Sequence, residues 1–161
     1  MRNSDLEEKE LKRAKNTAYR FLSIRSRSRA EILKKLRDKE FAPSVIDTVM
    51  EHLLYLGYVD DGKFACQWAA SRARLQGYGR HRIGQELKQK GVDREIIREA
   101  LDEVVPPEDE RENALKVAEK KLNSMKSLEP EARKRRLARF LERKGFPHQI
   151  IWDIVRKVKR T

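Results

Sequence analysis

The chain has 161 residues, 40% of them charged and 7% aromatic, and 38 Lys+Arg against 26 Asp+Glu give a formal net charge of +12. That balance excludes one large aromatic core and favours a polyanionic partner, either nucleic acid or an acidic protein surface. No stretch is apolar enough to span a membrane, the opening MRNSDLEEKE is too polar for a secretory signal, and Cys66, the single cysteine, excludes an intrachain disulfide and a thiolate zinc site. A soluble cytoplasmic protein without membrane contact is the expectation.

Taken from the N-terminus, residues 1–9 read as a flexible, solvated tail or a frayed helix start. Ala14, Ala18, Phe21 and Leu22 then recur at helical steps, as do Ile32, Leu33 and Leu36, and again Val45, Ile46, Val49, Met50, Leu53 and Leu54. Three helices are predicted over residues 10–56. Ser28-x-x-Glu31 is a capping box at the start of the second: the hydroxyl takes one orphan N–H and the carboxylate reaches back to another.

Residues 57–105 repeat the scheme with Phe64, Ala65, Trp68 and Ala69, then Ile83 and Leu87, then Ile96, Ile97, Ala100 and Leu101. Gly77-Tyr78-Gly79 separates the first two of these helices. Residues 106–161 do so again with Ala114, Leu115, Ala118 and Leu122, then Leu137, Phe140 and Leu141, then Ile150, Ile151, Ile154, Val155 and Val158. Sustained apolar/polar alternation is missing, so strands are not expected.

Aligning these segments exposes a repeat, Leu-x-x-Lys-(Gly/Glu)-(Phe/Val) followed by Ile. The copies run from Leu36 to Ile46, Leu87 to Ile97 and Leu141 to Ile151, and the leucines lie 51 and 54 residues apart. Ile32, Ile83 and Leu137 stand four residues before each leucine. Gly91 and Gly145 suit a left-handed helix cap, where a Cβ is costly, and Glu40 departs from that rule. The expected fold is all-α: three tandem three-helix repeats forming an elongated, curved molecule. A unit of this size is marginal by itself, and stacked neighbours bury each other's ends. The Val104-Val105-Pro106-Pro107-Glu108 connection is the expected place for flexing.

Catalytic candidates are weak. His52, His81 and His148 are far apart and lack a second ligand at metal spacing. Asp60-Asp61 sits before a helix, where acids cap N–H groups; a metal or acid–base role is the alternative. Cys66 borders an apolar helix face with no base evident nearby. No enzyme activity and no cofactor are expected.

Charge is distributed unevenly, with net +4 over residues 1–56, +1 over 57–105 and +7 over 106–161. Three basic stretches are candidate DNA or filament contacts. Arg25, Arg27 and Arg29 precede and open the second helix. Arg72 and Arg74, with Arg80 and Arg82, flank Tyr78. Arg133, Lys134, Arg135, Arg136, Arg139, Arg143 and Lys144 run through the middle helix of the third unit. Arg136, Arg139 and Arg143 share one face. A solvated helix face explains any one stretch, whereas together they favour phosphate contact, since arginine forks suit phosphate oxygens. Tyr78 fits either core packing or stacking on a base. Small helical units also suggest helix-turn-helix readers, but no base-specific set of Asn, Gln and Arg stands out.

Four motifs together resemble the RecX family of bacterial regulators of the RecA recombinase. They are Ala18-Tyr19-x-x-Leu22-x-x-Arg25-x-x-Ser28-x-x-Glu31, Gly57-Tyr58-Val59-Asp60-Asp61-x-x-Phe64-Ala65, Gly79-x-x-Arg82-Ile83-x-x-Glu86-Leu87-x-x-Lys90-Gly91-Val92 and Phe140-Leu141-x-Arg143-Lys144-Gly145-Phe146. The resemblance runs from Ala14 to Val158; Glu40 and Val59 are small departures. It implies binding to the RecA–DNA filament, along its deep groove and across more than one protomer. It further implies reduced ATP hydrolysis, strand exchange and coprotease activity, hence a part in DNA repair, recombination and the SOS response. Weaker binding to single- and double-stranded DNA alone is implied as well, and the chain is expected to be a monomer. Two other readings stay open: a general DNA-binding helical-repeat protein without a recombinase partner, and a helical scaffold whose charge serves solubility.

Overall fold

Helix signals in the sequence become nine helices in the computed structural model, which describes residues 2–158: α1 (Arg2–Ile24), α2 (Arg29–Asp38), α3 (Pro43–Tyr55), α4 (Asp61–Gln76), α5 (Arg80–Gln89), α6 (Arg94–Val104), α7 (Pro107–Asn123), α8 (Pro130–Lys144) and α9 (His148–Arg156). No strand occurs among the described residues. The capping box forms as the spacing requires: Glu31 N–H donates to Ser28 Oγ at 3.2 Å, and Ser28 N–H donates to Glu31 Oε2 at 2.9 Å. Asp60 caps α4 by accepting from Lys63 N–H at 3.0 Å.

Of the two expectations for the N-terminal residues, a flexible tail or a helix start, residues 2–9 fit the second. They continue α1 as exposed helix. Ala14 and Ala18 anchor that helix in the first core. Once it is nucleated, each further residue adds a hydrogen bond, and Leu6, Glu7, Glu8 and Lys9 are good helix formers.

Each group of three helices has its own core, and extensive helix–helix packing stays within a group. Leu36, Leu87 and Leu141 are fully buried, as are Ile32, Ile83 and Leu137 one turn earlier. Burying one such side chain contributes about 1.5–3 kcal/mol. These pairs form the centre of α2, α5 and α8, against which the other two helices of each unit close. The units follow one another in an elongated array.

The units are joined by the repeated turn itself. At the first joint the Lys90–Gly91 turn docks on the N-terminus of α2, and Ser28 Oγ donates to Lys90 O at 2.5 Å. At the second joint the Lys144–Gly145 turn docks on the N-terminus of α5, and Gly79 N–H donates to Lys144 O at 2.7 Å. An acid from the first turn of the following helix completes each joint. Asp61 accepts from Arg29 N–H at 2.8 Å, and Glu110 accepts from Arg80 N–H at 3.2 Å.

This geometry explains the glycines and the exception. A Cβ on Gly91 (φ +75°) would lie 2.3 Å from the Ala30 Cβ, and one on Gly145 (φ +90°) would lie 2.5 Å from the Arg82 backbone nitrogen. Glu40 adopts the same left-handed conformation, φ 60°, but among the described residues its turn is bonded only within its own unit, so only backbone strain opposes its side chain.

Candidate functional site

Most arginines near the first two units are committed to intrachain work. Arg25 forks onto Glu31, at 2.5 and 3.3 Å. Arg27 donates to Phe21 O at 3.2 Å and lies 3.8 Å over the Phe21 ring; burial, then the charge of Arg25, lowers its pKa. Arg72 pairs with Glu86 at 2.9 Å and covers Trp68. Arg80 pairs with Asp102 at 2.7 Å and donates to Val105 O at 2.6 Å, tying the α6–α7 connection where flexing was expected. Arg82 donates to Arg143 O at 2.8 Å and lies 3.8 Å over the Tyr78 ring. Only Arg29 and Arg74 of these two stretches are exposed. Tyr78 packs against the second core with its ring covered by cations, which favours the core-packing reading over a base-stacking one.

The third unit differs. Arg133 and Lys134 are half-buried, and Lys134 pairs with Glu131 at 3.6 Å. Arg135, Arg136, Arg139 and Arg143 are exposed along α8, and none of them forms an ion pair among the described residues. Helical spacing places Arg136, Arg139 and Arg143 on one outward face. Leu137 and Leu141 hold the opposite face in the core.

Between the second and third units lies an open cleft of about 890 Å³. One wall is the end of α4, with Arg74, Leu75 and Tyr78; the other is α7, with Lys116, Val117, Lys120 and Lys121. Val104, Val105, Phe140 and Phe146 add apolar surface, and Lys144 lies at the boundary. Its ammonium donates to Gln76 O at 2.7 Å and sits 5.1 Å from the Tyr78 ring centre and 5.2 Å from that of Phe140. Burial, and then the charges of Arg82, Lys120 and Lys121, push its pKa down. Asp109 is the one acid lining this cleft. Lys116, Lys120 and Lys121 were not among the candidates from sequence. Their signal was present in the four-residue step from Lys116 to Lys120, but nothing in the sequence placed α7 opposite α4.

Asp60, Asp61 and His52 find structural roles, and His81 and His148 are exposed. Asp60 and Asp61 cap helices α4 and α2. His52 shares a 2.6 Å hydrogen bond with the Tyr19 hydroxyl. Burial, and then Glu103, push the Cys66 thiol up, away from the thiolate a nucleophile needs. Among the described residues no group of three or more His, Cys, Asp or Glu could hold a metal, and no helix is long and apolar enough to cross a membrane.

The repeats coincide with known families. Residues 14–53 match the first three-helix domain of RecX, residues 60–101 the second and residues 108–155 the third. The regulatory protein RecX of Amycolatopsis mediterranei (strain U-32) is 33% identical over 153 residues, which cover 95% of this chain and 87% of that protein. The regulatory protein RecX of Chlorobium phaeobacteroides (strain BS1) is 33% identical over 150 residues, covering 93% and 96%. The crystal structure of RecX from Lactobacillus salivarius shares the fold, with a TM-score of 0.78 at 24% identity, covering 94% of this chain and 97% of that one.

Proposed function

The chain belongs to the RecX family, and from that premise we propose that it is a non-enzymatic regulator that binds the RecA–DNA filament and lowers RecA's ATP hydrolysis, strand exchange and coprotease activity. The observation that carries this reading is the exposed, unneutralised arginine face of α8 at one end of an elongated three-unit array. Such an array reaches several sites on one filament, so modest contacts add through effective concentration. Arg135, Arg136, Arg139 and Arg143 are suited to phosphate oxygens, which position a protein without reading sequence. Arg29 and Arg74 are exposed and supply lesser contacts. The remaining candidates act indirectly, by holding units and joints in register.

A RecA ATPase assay on single-stranded DNA tests the reading. Substoichiometric to equimolar chain is expected to suppress hydrolysis, and an unchanged rate at equimolar chain would refute the proposal. The same arginine face also favours a second reading, general DNA binding without a recombinase. That alternative predicts tight binding to naked DNA that falls steeply with salt, and no preference for the filament.

A further inference from the structure

The cleft between the second and third units is distinct from the α8 arginine face, and its chemistry differs. Phe140 and Lys144 of α8 turn into it, whereas Arg136, Arg139 and Arg143 do not line it. Its cations are mostly lysines, which act as compact point charges, rather than the arginine forks that suit phosphate. The aromatic faces that could stack a base are covered: Arg82 and Lys144 lie over Tyr78, and Lys121 and Lys144 lie over Phe140. The apolar surface that stays open is aliphatic, including Leu75 at 65% exposure, beside the polar Gln76, Asn113 and Ser124. Lys116 has Glu112 at 2.9 Å, both strongly exposed, while Lys120, Lys121 and Lys144 have no ion pair among the described residues. A concave apolar strip edged by five cations and one acid, Asp109, is complementary to a segment with an apolar stripe and negative charge.

We propose that this cleft is a protein-docking site for an acidic, amphipathic helical segment, with aliphatic side chains seated against Leu75, Val104 and Val117 and carboxylates facing Lys116, Lys120 and Lys121. The proposal rests on the filament reading for its partner, and assigns the cleft to the filament's protein rather than to its DNA. Anchors at successive helical turns would meet the aliphatic strip while the flanking acids meet the lysines of α7 on one wall and Arg74 of α4 on the other. The guest's carboxylates would also relieve the crowding of cations around Lys144. That residue links the two walls, so occupancy would stiffen the second joint. Division of labour follows: α8 engages phosphate, and the cleft engages protein.

The test compares two cleft variants with an α8 variant, all at exposed positions. Lys116→Glu with Lys120→Glu removes the charge complementarity, and Leu75→Ser removes the apolar seat; Arg136→Glu with Arg139→Glu is the comparison. Binding is measured to RecA filaments on single-stranded DNA, to free oligothymidylate, and to a synthetic helix-forming peptide of about 16 residues carrying leucines at helical spacing between glutamates. Each cleft variant is expected to weaken filament and peptide binding about tenfold while changing oligothymidylate binding less than about twofold. The α8 variant should do the reverse to the peptide and the oligonucleotide. A peptide with glutamine in place of glutamate should bind the wild type about tenfold more weakly. Oligothymidylate binding that falls with peptide binding in the cleft variants would make the cleft a nucleic-acid site and overturn the proposal. So would a glutamate peptide that fails to bind, or binds wild type and cleft variants alike. Failure of the wild type to bind filaments would instead overturn the filament reading, with the peptide measurements still deciding the cleft.

Discussion

At the first joint Lys90 lies 3.3 Å from the Glu31 carboxylate; at the second, Lys144 in the same turn has Arg82, Lys120 and Lys121 as its charged neighbours. The connections are alike in place, since in both the lysine carbonyl accepts from the residue capping the preceding unit's middle helix, from the Ser28 hydroxyl at the first joint and the Gly79 N–H at the second. The side chains are opposite in effect. Burial alone would raise the Glu31 carboxyl, but hydrogen bonds from Arg25 and Ser28 and the charges of Arg25 and Lys90 hold it below its ordinary value. The first joint is thus electrostatically closed, and the second carries an excess of positive charge beside an open cleft. A repeated turn supplies the connection, and the residues that differ around it decide which connection is left with binding capacity.

Breaking a joint sterically is the largest expected effect. Gly145→Ala meets Arg82 backbone and adopts φ +90°, so it should cost about 3 kcal/mol in chemical denaturation and free the third unit to melt separately. Gly91→Ala should cost less, because it meets the Ala30 side chain, and Ala30→Gly should partly restore it. Next in size is Glu31→Gln, which leaves Lys90 and Arg25 facing a neutral acceptor. A loss of about 1–2 kcal/mol is expected, against about 0.5 kcal/mol or less for Lys144→Gln, which already lacks a counter-charge. Equal losses at the two sites would erase the contrast.

Glu40→Gly reverses the sign. Glycine relieves the left-handed strain at φ 60° in a turn bonded, among the described residues, only within its own unit, so the midpoint of unfolding should rise by the equivalent of about 0.5–1 kcal/mol. The smallest effect is a divergence with pH. Glu31 has a lowered pKa, so its stabilisation is present above the ordinary carboxyl value and is lost as pH falls through the lowered one. Glu110 has a raised pKa, mainly through burial, so its folded state gains as pH falls through that raised value. Hydrogen exchange at the two joints should show acid loosening the first and tightening the second. Glu110→Gln should flatten the second response while retaining an oxygen for Arg80 N–H.

Helices, units and charge balance follow from local chemistry. Ile32 with Leu36, Ile83 with Leu87 and Leu137 with Leu141 mark the middle helices by spacing alone, because one turn of helix brings such pairs to one face. Ser28 and Glu31 mark a cap for the same reason, and the excess of positive charge in the last unit is visible by counting. For residues 2–9 the sequence leaves tail and helix start open, because propensity and exposure do not reveal that a helix anchored further along will propagate into them. The arginines were divided by the fold, not by composition. Arg72, Arg80 and Arg82 look as available as Arg135, Arg136 and Arg139 until Glu86, Asp102 and the Arg143 carbonyl are found opposite them.

The sequence by itself determined nine amphipathic segments in three similar groups, and a cationic third group. Those properties depend on residues three or four apart, which one turn of helix brings together. Only the tertiary structure decided what the Lys-Gly turns do. Asp61 and Arg29 are 32 residues apart, Lys90 and Glu31 are 59 apart, and Lys144 reaches a carbonyl 68 residues away. Pairings over such distances depend on how one unit seats on the next. That seating closes the first joint with an acid and leaves the second with a lysine-edged apolar cleft.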